Sequence, residues 1–199
     1  MDNFTVVDIK TGFEMLPYTA IQMAAYENIY VETLKRKEAI DLTFDKDSHS
    51  YKLNGVVIPS VTQILQKVGI SDFSMVPADR LESARKFGSA VHLACELFDK
   101  GTLDECALDS NLWPYLDAWV SFKKEYALEF ISIEKPITSV IYRVAGTPDR
   151  IAKSDKRRRL AVLLNEEGTY KVTEYKDKND WQIFIAALSV TNWKERQNG

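Results

Sequence analysis

The spacing of apolar and polar residues divides this chain into strands and helices before any chemistry is considered. Residues 6–10, Val-Val-Asp-Ile-Lys, read as a short strand running into a Thr-Gly turn, and strand alternation puts Asp8 and Lys10 on one face. Past Pro17, residues 18–37 carry the 3.6-residue period of a helix of about five turns. Tyr18, Gln22 and Tyr26 share one stripe of that helix. Residues 49–60 alternate around Asn54-Gly55, a two-residue hairpin signal. Ser60 then caps a short helix over 61–69, which Gly69 ends. A long helix is predicted over 78–101, with Leu81, Ala84, Phe87, Val91, Ala94 and Leu97 or Phe98 as its buried stripe. Arg85, Ser89, His92 and Glu96 form a separate polar stripe at four-residue spacing. Residues 111–127 read as a further amphipathic helix. Strands are predicted over 130–135, 138–146, 148–153, 159–165 and 170–175, and a closing helix over 180–196. The result is an α/β chain with a mixed sheet flanked by helices.

Composition narrows the class. At 199 residues and 45% hydrophobic, the chain is long enough for one good core, and with no internal repeat or linker-like tract it reads as a single domain. Charged residues of both signs make up 28% of it, with 8 Gly and 6 Pro, which argues against extensive disorder. A net charge of -3 gives no broad attraction to nucleic acid, although residues 34–37, 155–159 and Arg80, Arg85 and Lys86 concentrate basic groups locally. The two cysteines, Cys95 and Cys106, form no CxxC pair, which disfavours a disulfide framework or a structural zinc site and fits a reducing compartment. No apolar run reaches the roughly 18 residues of a membrane span, and no basic-then-apolar leader is seen. A soluble, unexported protein with no membrane partner is expected.

Four segments carry candidate chemistry, and each alone has an ordinary structural reading. Asp8 and Lys10 lie in the first strand. Asp149 sits in Gly-Thr-Pro-Asp-Arg-Ile, at a turn entering a strand. His92 and Glu96 stand one helical turn apart beside Gly88, where a small residue permits close backbone approach. Gln22 and Tyr26 share a helical stripe.

Together these residues resemble the PD-(D/E)XK nuclease superfamily in its RecB-like, phage-exonuclease branch. Asp149 matches the motif aspartate, Asp8-Ile9-Lys10 the (D/E)xK strand, His92 the histidine of a GxxxH helix, and Gln22 to Tyr26 the QxxxY helix. Residues 51–65 also look like the opening of phage-type members. The resemblance implies a restriction-endonuclease-like mixed sheet and a metal-dependent deoxyribonuclease, acting as an exonuclease in a bacterial or phage-infected cytoplasm. Asp149, Asp8, His92 and the Ile9 carbonyl would ligate Mg²⁺ or Mn²⁺. Lys10 would orient or acidify the attacking water and offset transition-state charge. Gln22, Tyr26 and Arg85 would meet DNA, with Glu96 and Glu134 as further candidates for a ligand or an outer-shell base. A recombination or replication protein is a further partner that this family reading admits. Two rivals stand beside it: a nuclease-fold protein that binds DNA or a partner without cutting, and a small-molecule phosphoesterase.

The order of the segments departs from the family. Residues 1–37 hold the xK strand and QxxxY helix, yet they precede residues 38–155, with the hairpin, the His92 helix and the Asp149 strand, and residues 156–199, with the last strands and helix. Moving 1–37 to between Asp155 and Lys156 restores the usual order, so the block reads as transposed. With the order as it stands, the strand near residues 5–10 must insert between or beside later strands, and the short link at 153–158 must join strands normally separated by a strand and a helix.

Overall fold

The computed structural model describes residues 3–12, 16–46, 48–70 and 76–198. The protein is α/β, and its chain divides into two compact units. The first unit comprises Met1–Glu14, Phe73–Glu134 and Asp149–Tyr175, and the second Met15–Asp72, Lys135–Pro148 and Lys176–Gly199.

A five-stranded mixed sheet organises the first unit. Its strands are β1 (Phe4–Lys10), β5 (Phe130–Ile133), β8 (Arg150–Lys153), β9 (Arg158–Leu164) and β10 (Tyr170–Glu174), in the spatial order β10-β9-β1-β8-β5. Strand β1 runs antiparallel to β8, with Val7 opposite Arg150, and parallel to β9, with Asp8 opposite Ala161. It is therefore inserted between two strands that follow each other in sequence. The link from Lys153 to Arg158 must step over β1, about 10 Å at ordinary strand spacing, which so few residues can span. The Asn3 side-chain amide donates to the Asp155 carbonyl in that link, tying the start of β1 to it.

Helices α3 (Ala78–Asp99) and α4 (Trp113–Tyr126) cover one face of the sheet. Alternation sends Val7 and Ile9 of β1 and Leu160, Val162 and Leu164 of β9 to that face, where they meet Val91, Cys95, Leu116, Trp119 and Phe122 in one buried cluster. The buried stripe of α3 occupies only its second half, through Val91, Ala94 and Cys95. Ala84, expected inside, is exposed. Helical period alone therefore did not determine burial in its early turns, although Phe87 still packs against the cluster.

The second unit holds the remaining elements: helices α1 (Leu16–Lys35), α2 (Val61–Lys67) and α5 (Asp180–Asn198), a three-stranded antiparallel sheet of β2 (Leu42–Asp45), β3 (Ser50–Leu53) and β4 (Val56–Ile58), and the hairpin of β6 (Ile137–Ser139) and β7 (Val144–Gly146). Asn54 and Gly55 both have positive φ, as the favoured two-residue hairpin turn requires. The Ser60 hydroxyl accepts from the Gln63 amide while the Gln63 side chain accepts from Ser60 N–H, a reciprocal cap on α2. Residues 138–146, expected as one strand, fold back as the β6-β7 pair. The turn is held from α1, whose Glu32 carboxylate accepts from Ser139 Oγ and the backbone amides of Val140 and Ile141. Among the described residues no helix is long and apolar enough to cross a membrane.

Candidate metal centre

The candidate site lies where β1 ends and β8 begins. Asp149 enters β8 from its Pro-containing turn, and its Oδ2 accepts a 2.6 Å hydrogen bond from the backbone N–H of Ile9. This backbone-to-side-chain bond lies just beyond the last paired residues, Val7 and Arg150, and brings Asp149 near Asp8. Helix α3 supplies His92, whose Nδ1 stands 3.5 Å from the same Oδ2. Gly88, one turn earlier, lets α3 approach the end of β1, since a Cβ there would meet the Thr11 hydroxyl oxygen at 3.2 Å. Glu134, just beyond β5, completes the group. Its N–H donates to the Asp149 carbonyl at 2.9 Å, and its φ of 46° lies in the left-handed region that a side chain seldom occupies.

One ligating atom from each of His92, Glu134 and Asp149 lies within 4.8 Å of the others. Two carboxylates and an imidazole nitrogen so gathered are a donor set suited to a divalent cation. Without a cation the arrangement is electrostatically costly. Burial, with the Asp149 charge adding to it and the Arg150 guanidinium opposing, pushes the Glu134 carboxyl up to about 8. Burial likewise raises Asp8, which is 5% exposed, against the pull of Lys10. The Lys10 ammonium is 2.7 Å from Asp8 Oδ2, so the two share a face of β1 as alternation requires.

The sequence-derived residues fall into distinct places. Asp8, Ile9, Lys10, His92 and Asp149 come together in the first unit, the strand residues through the antiparallel pairing of β1 and β8 and His92 from α3. Glu134, ranked there only as a further candidate, belongs to the convergent group in which Asp8 is not included. Glu96 is half-buried and bonded to Lys100 one turn on. Arg85 is exposed on α3. Gln22 and Tyr26 belong to the second unit, both buried, with the Gln22 amide donating to the Tyr26 hydroxyl at 3.2 Å.

Sequence reasoning passed over Arg150, Asp99, Trp119 and Lys123. Arg150 Nε donates to Asp99 Oδ2 at 2.7 Å, and Asp99 also takes Trp119 Nε1 and the Lys123 ammonium. A signal existed: Asp99 falls on the buried stripe of α3, one turn after Cys95 and two after Val91, where an acid needs a buried partner. Burial pushes the Cys95 thiol up to about 12, so it is a neutral, inert core group rather than a ligand or nucleophile. Neither a scan against protein-family models nor a search of the curated proteins finds a match.

The Glu134 environment sets a pH dependence. The folded state retains a proton on Glu134 between the ordinary carboxylate value and about 8, where the unfolded chain has lost it. The unfolded state binds fewer protons across that window, so this group's contribution to stability is complete below the ordinary value and is lost as the pH rises through about 8. In a chelator, the melting temperature is expected to fall from about pH 5 to about pH 8, and Glu134→Gln to flatten the fall. An unchanged slope in Glu134→Gln would refute the assignment to this carboxyl.

Proposed function

We propose that this chain is a divalent-metal-dependent deoxyribonuclease of the PD-(D/E)XK type, acting as an exonuclease. The observation that supports this most is the 2.6 Å bond from Ile9 N–H to Asp149, which joins the Asp-Ile-Lys strand to the motif aspartate with His92 and Glu134 gathered at the same carboxylate. His92, Glu134 and Asp149 are the residues that would hold the cation, and the nitrogen donor beside two carboxylates suits Mn²⁺ as well as Mg²⁺. A divalent ion bound there supplies Lewis-acid polarisation of a phosphoryl oxygen and acidification of water.

The chain's own residues do the rest. Asp8 holds the Lys10 ammonium in an ion pair, and Lys10 thereby presents a fixed positive charge beside the carboxylates. That charge can orient water and offset the negative charge that grows on the scissile phosphate. Arg85, exposed on the helix that carries His92, is a candidate contact for the DNA backbone.

The test is cleavage of linear double- and single-stranded DNA in Mg²⁺, Mn²⁺ or EDTA. Cleavage is expected with either metal and none with EDTA. Lys10→Met is expected to lower turnover by about 10²- to 10³-fold, as removal of a charge-stabilising donor does, with Mn²⁺ affinity nearly unchanged. Cleavage that survives EDTA, or a parent protein that cuts neither substrate with either metal, would defeat the proposal.

A further inference from the structure

Arg150 is fully buried, with its guanidinium over the rings of Trp119 at 5.5 Å and Phe130 at 5.8 Å. A charge so placed is costly unless paired and hydrogen-bonded. Its first partner is Asp99, a carboxylate with no exposed side-chain surface that already carries Lys123. Asp99 is shared with the partly exposed Lys123 ammonium, so it offsets only part of the Arg150 charge. The guanidinium fork directs that charge upward: Nη1 donates to the Asp149 carbonyl at 2.7 Å and to Glu134 Oε1 at 3.2 Å. Two of the three residues of the convergent group are therefore held from below by one rigid, planar group. Strand pairing explains the geometry: Arg150, the first residue of β8, stands opposite Val7 of β1 and shares its face, toward α3 and α4, while Asp149 lies in the bend just before the strand.

We propose that Arg150, anchored by Asp99, is a positioning residue that fixes the Glu134 carboxylate and the Asp149 main chain in the relative placement from which they share a divalent cation. The inference rests on the metal-dependent reading of this site. Outer partners of metal ligands commonly alter affinity by about 10- to 100-fold without touching the ion.

The experiment is Mn²⁺ titration of the 199-residue chain by calorimetry, paired with thermal melts in EDTA. Arg150→Met replaces a buried ion by an apolar side chain of similar length and is expected to melt cooperatively while binding Mn²⁺ about 10- to 100-fold more weakly. Arg150→Lys keeps the charge but lacks the fork, and a comparable loss of affinity is expected. Folded Arg150 variants with the parent's Mn²⁺ affinity would overturn the proposal, whatever their melting temperatures.

A second measurement needs no metal. Asp99→Asn and Glu134→Gln, combined in EDTA, are expected to give melting shifts that do not add, because the two side chains are coupled through Arg150, and to become additive in an Arg150→Lys background. Additive shifts in the parent background would overturn the positioning role even if Mn²⁺ binds. A parent protein that takes up no Mn²⁺ yet shows the coupling would instead refute the metal reading alone.

Discussion

Asp149→Asn is expected to leave linear DNA intact in Mg²⁺ and Mn²⁺ while the protein melts close to the parent's temperature. The amide oxygen of asparagine can still accept from the Ile9 N–H that Asp149 engages at 2.6 Å. The main-chain carbonyl of residue 149 still takes the Glu134 N–H and Arg150 Nη1. The scaffold therefore keeps its bonds, and what disappears is one negative charge at the point nearest His92. Loss of a charge placed to serve the transition state costs about 10²- to 10³-fold in turnover, and a ligand removed from a three-residue donor set should add to that by weakening the cation itself. Gel-based cleavage at saturating Mn²⁺, with calorimetric titration alongside, separates the two contributions. Cleavage that persists in a folded Asp149→Asn protein would remove the nuclease reading. The buried acids would then be a structural cation site or an ion network in an α/β protein of another function.

The second large effect is expected in the other unit and concerns packing alone. Gly146, in β7, lies against the ring of Tyr26, and a Cβ built there would come within 2.4 Å of Tyr26 Cε1. Both residues are buried, and the Tyr26 ring is held in place by its bond from Gln22, so neither can step aside freely. Gly146→Ala is expected to destabilise the protein by about 3 kcal/mol, the upper part of the range for overpacking a well-filled core. Denaturant unfolding would measure it. The clash is specific, so Tyr26→Leu should relieve it: the double variant is expected to be less destabilised than the sum of the two single ones. Simple additivity would mean that Tyr26 is not what Gly146 accommodates.

Much of the local structure was legible from the chain itself, where short-range chemistry decides the outcome. Asn54-Gly55 could be read as a tight turn because both residues tolerate positive φ, and Ser60 as a cap because its side chain reaches a backbone amide three residues on, to which the structure adds the reciprocal bond of Gln63. The strand over β1 and the shared face of Asp8 and Lys10 followed from alternation. The reading failed where a distant group intervened. Residues 138–146 form a hairpin because the Glu32 carboxylate from α1 satisfies the turn's amides, and no feature within those residues announces that partner. Strand β2 was missed because four residues carry too little alternation to stand out.

For the site, alternation put Asp8 and Lys10 on one face, but Asp8, Lys10, His92 and Asp149 stood out as a set only through the family resemblance, whose segment order also implied that the strand near residues 5–10 would lie between or beside later strands. Only the tertiary structure decided that Glu134, held at positive φ by its bond to the Asp149 carbonyl, joins His92 and Asp149 while Asp8 pairs with Lys10. It also decided that Arg150 turns into the core to meet Asp99. The reason is physical: which acids share a cation, and which cation a buried acid must share, depends on distances of a few ångströms and on burial. Both are set by the pairing of strands far apart in the chain, not by the sequence around each residue.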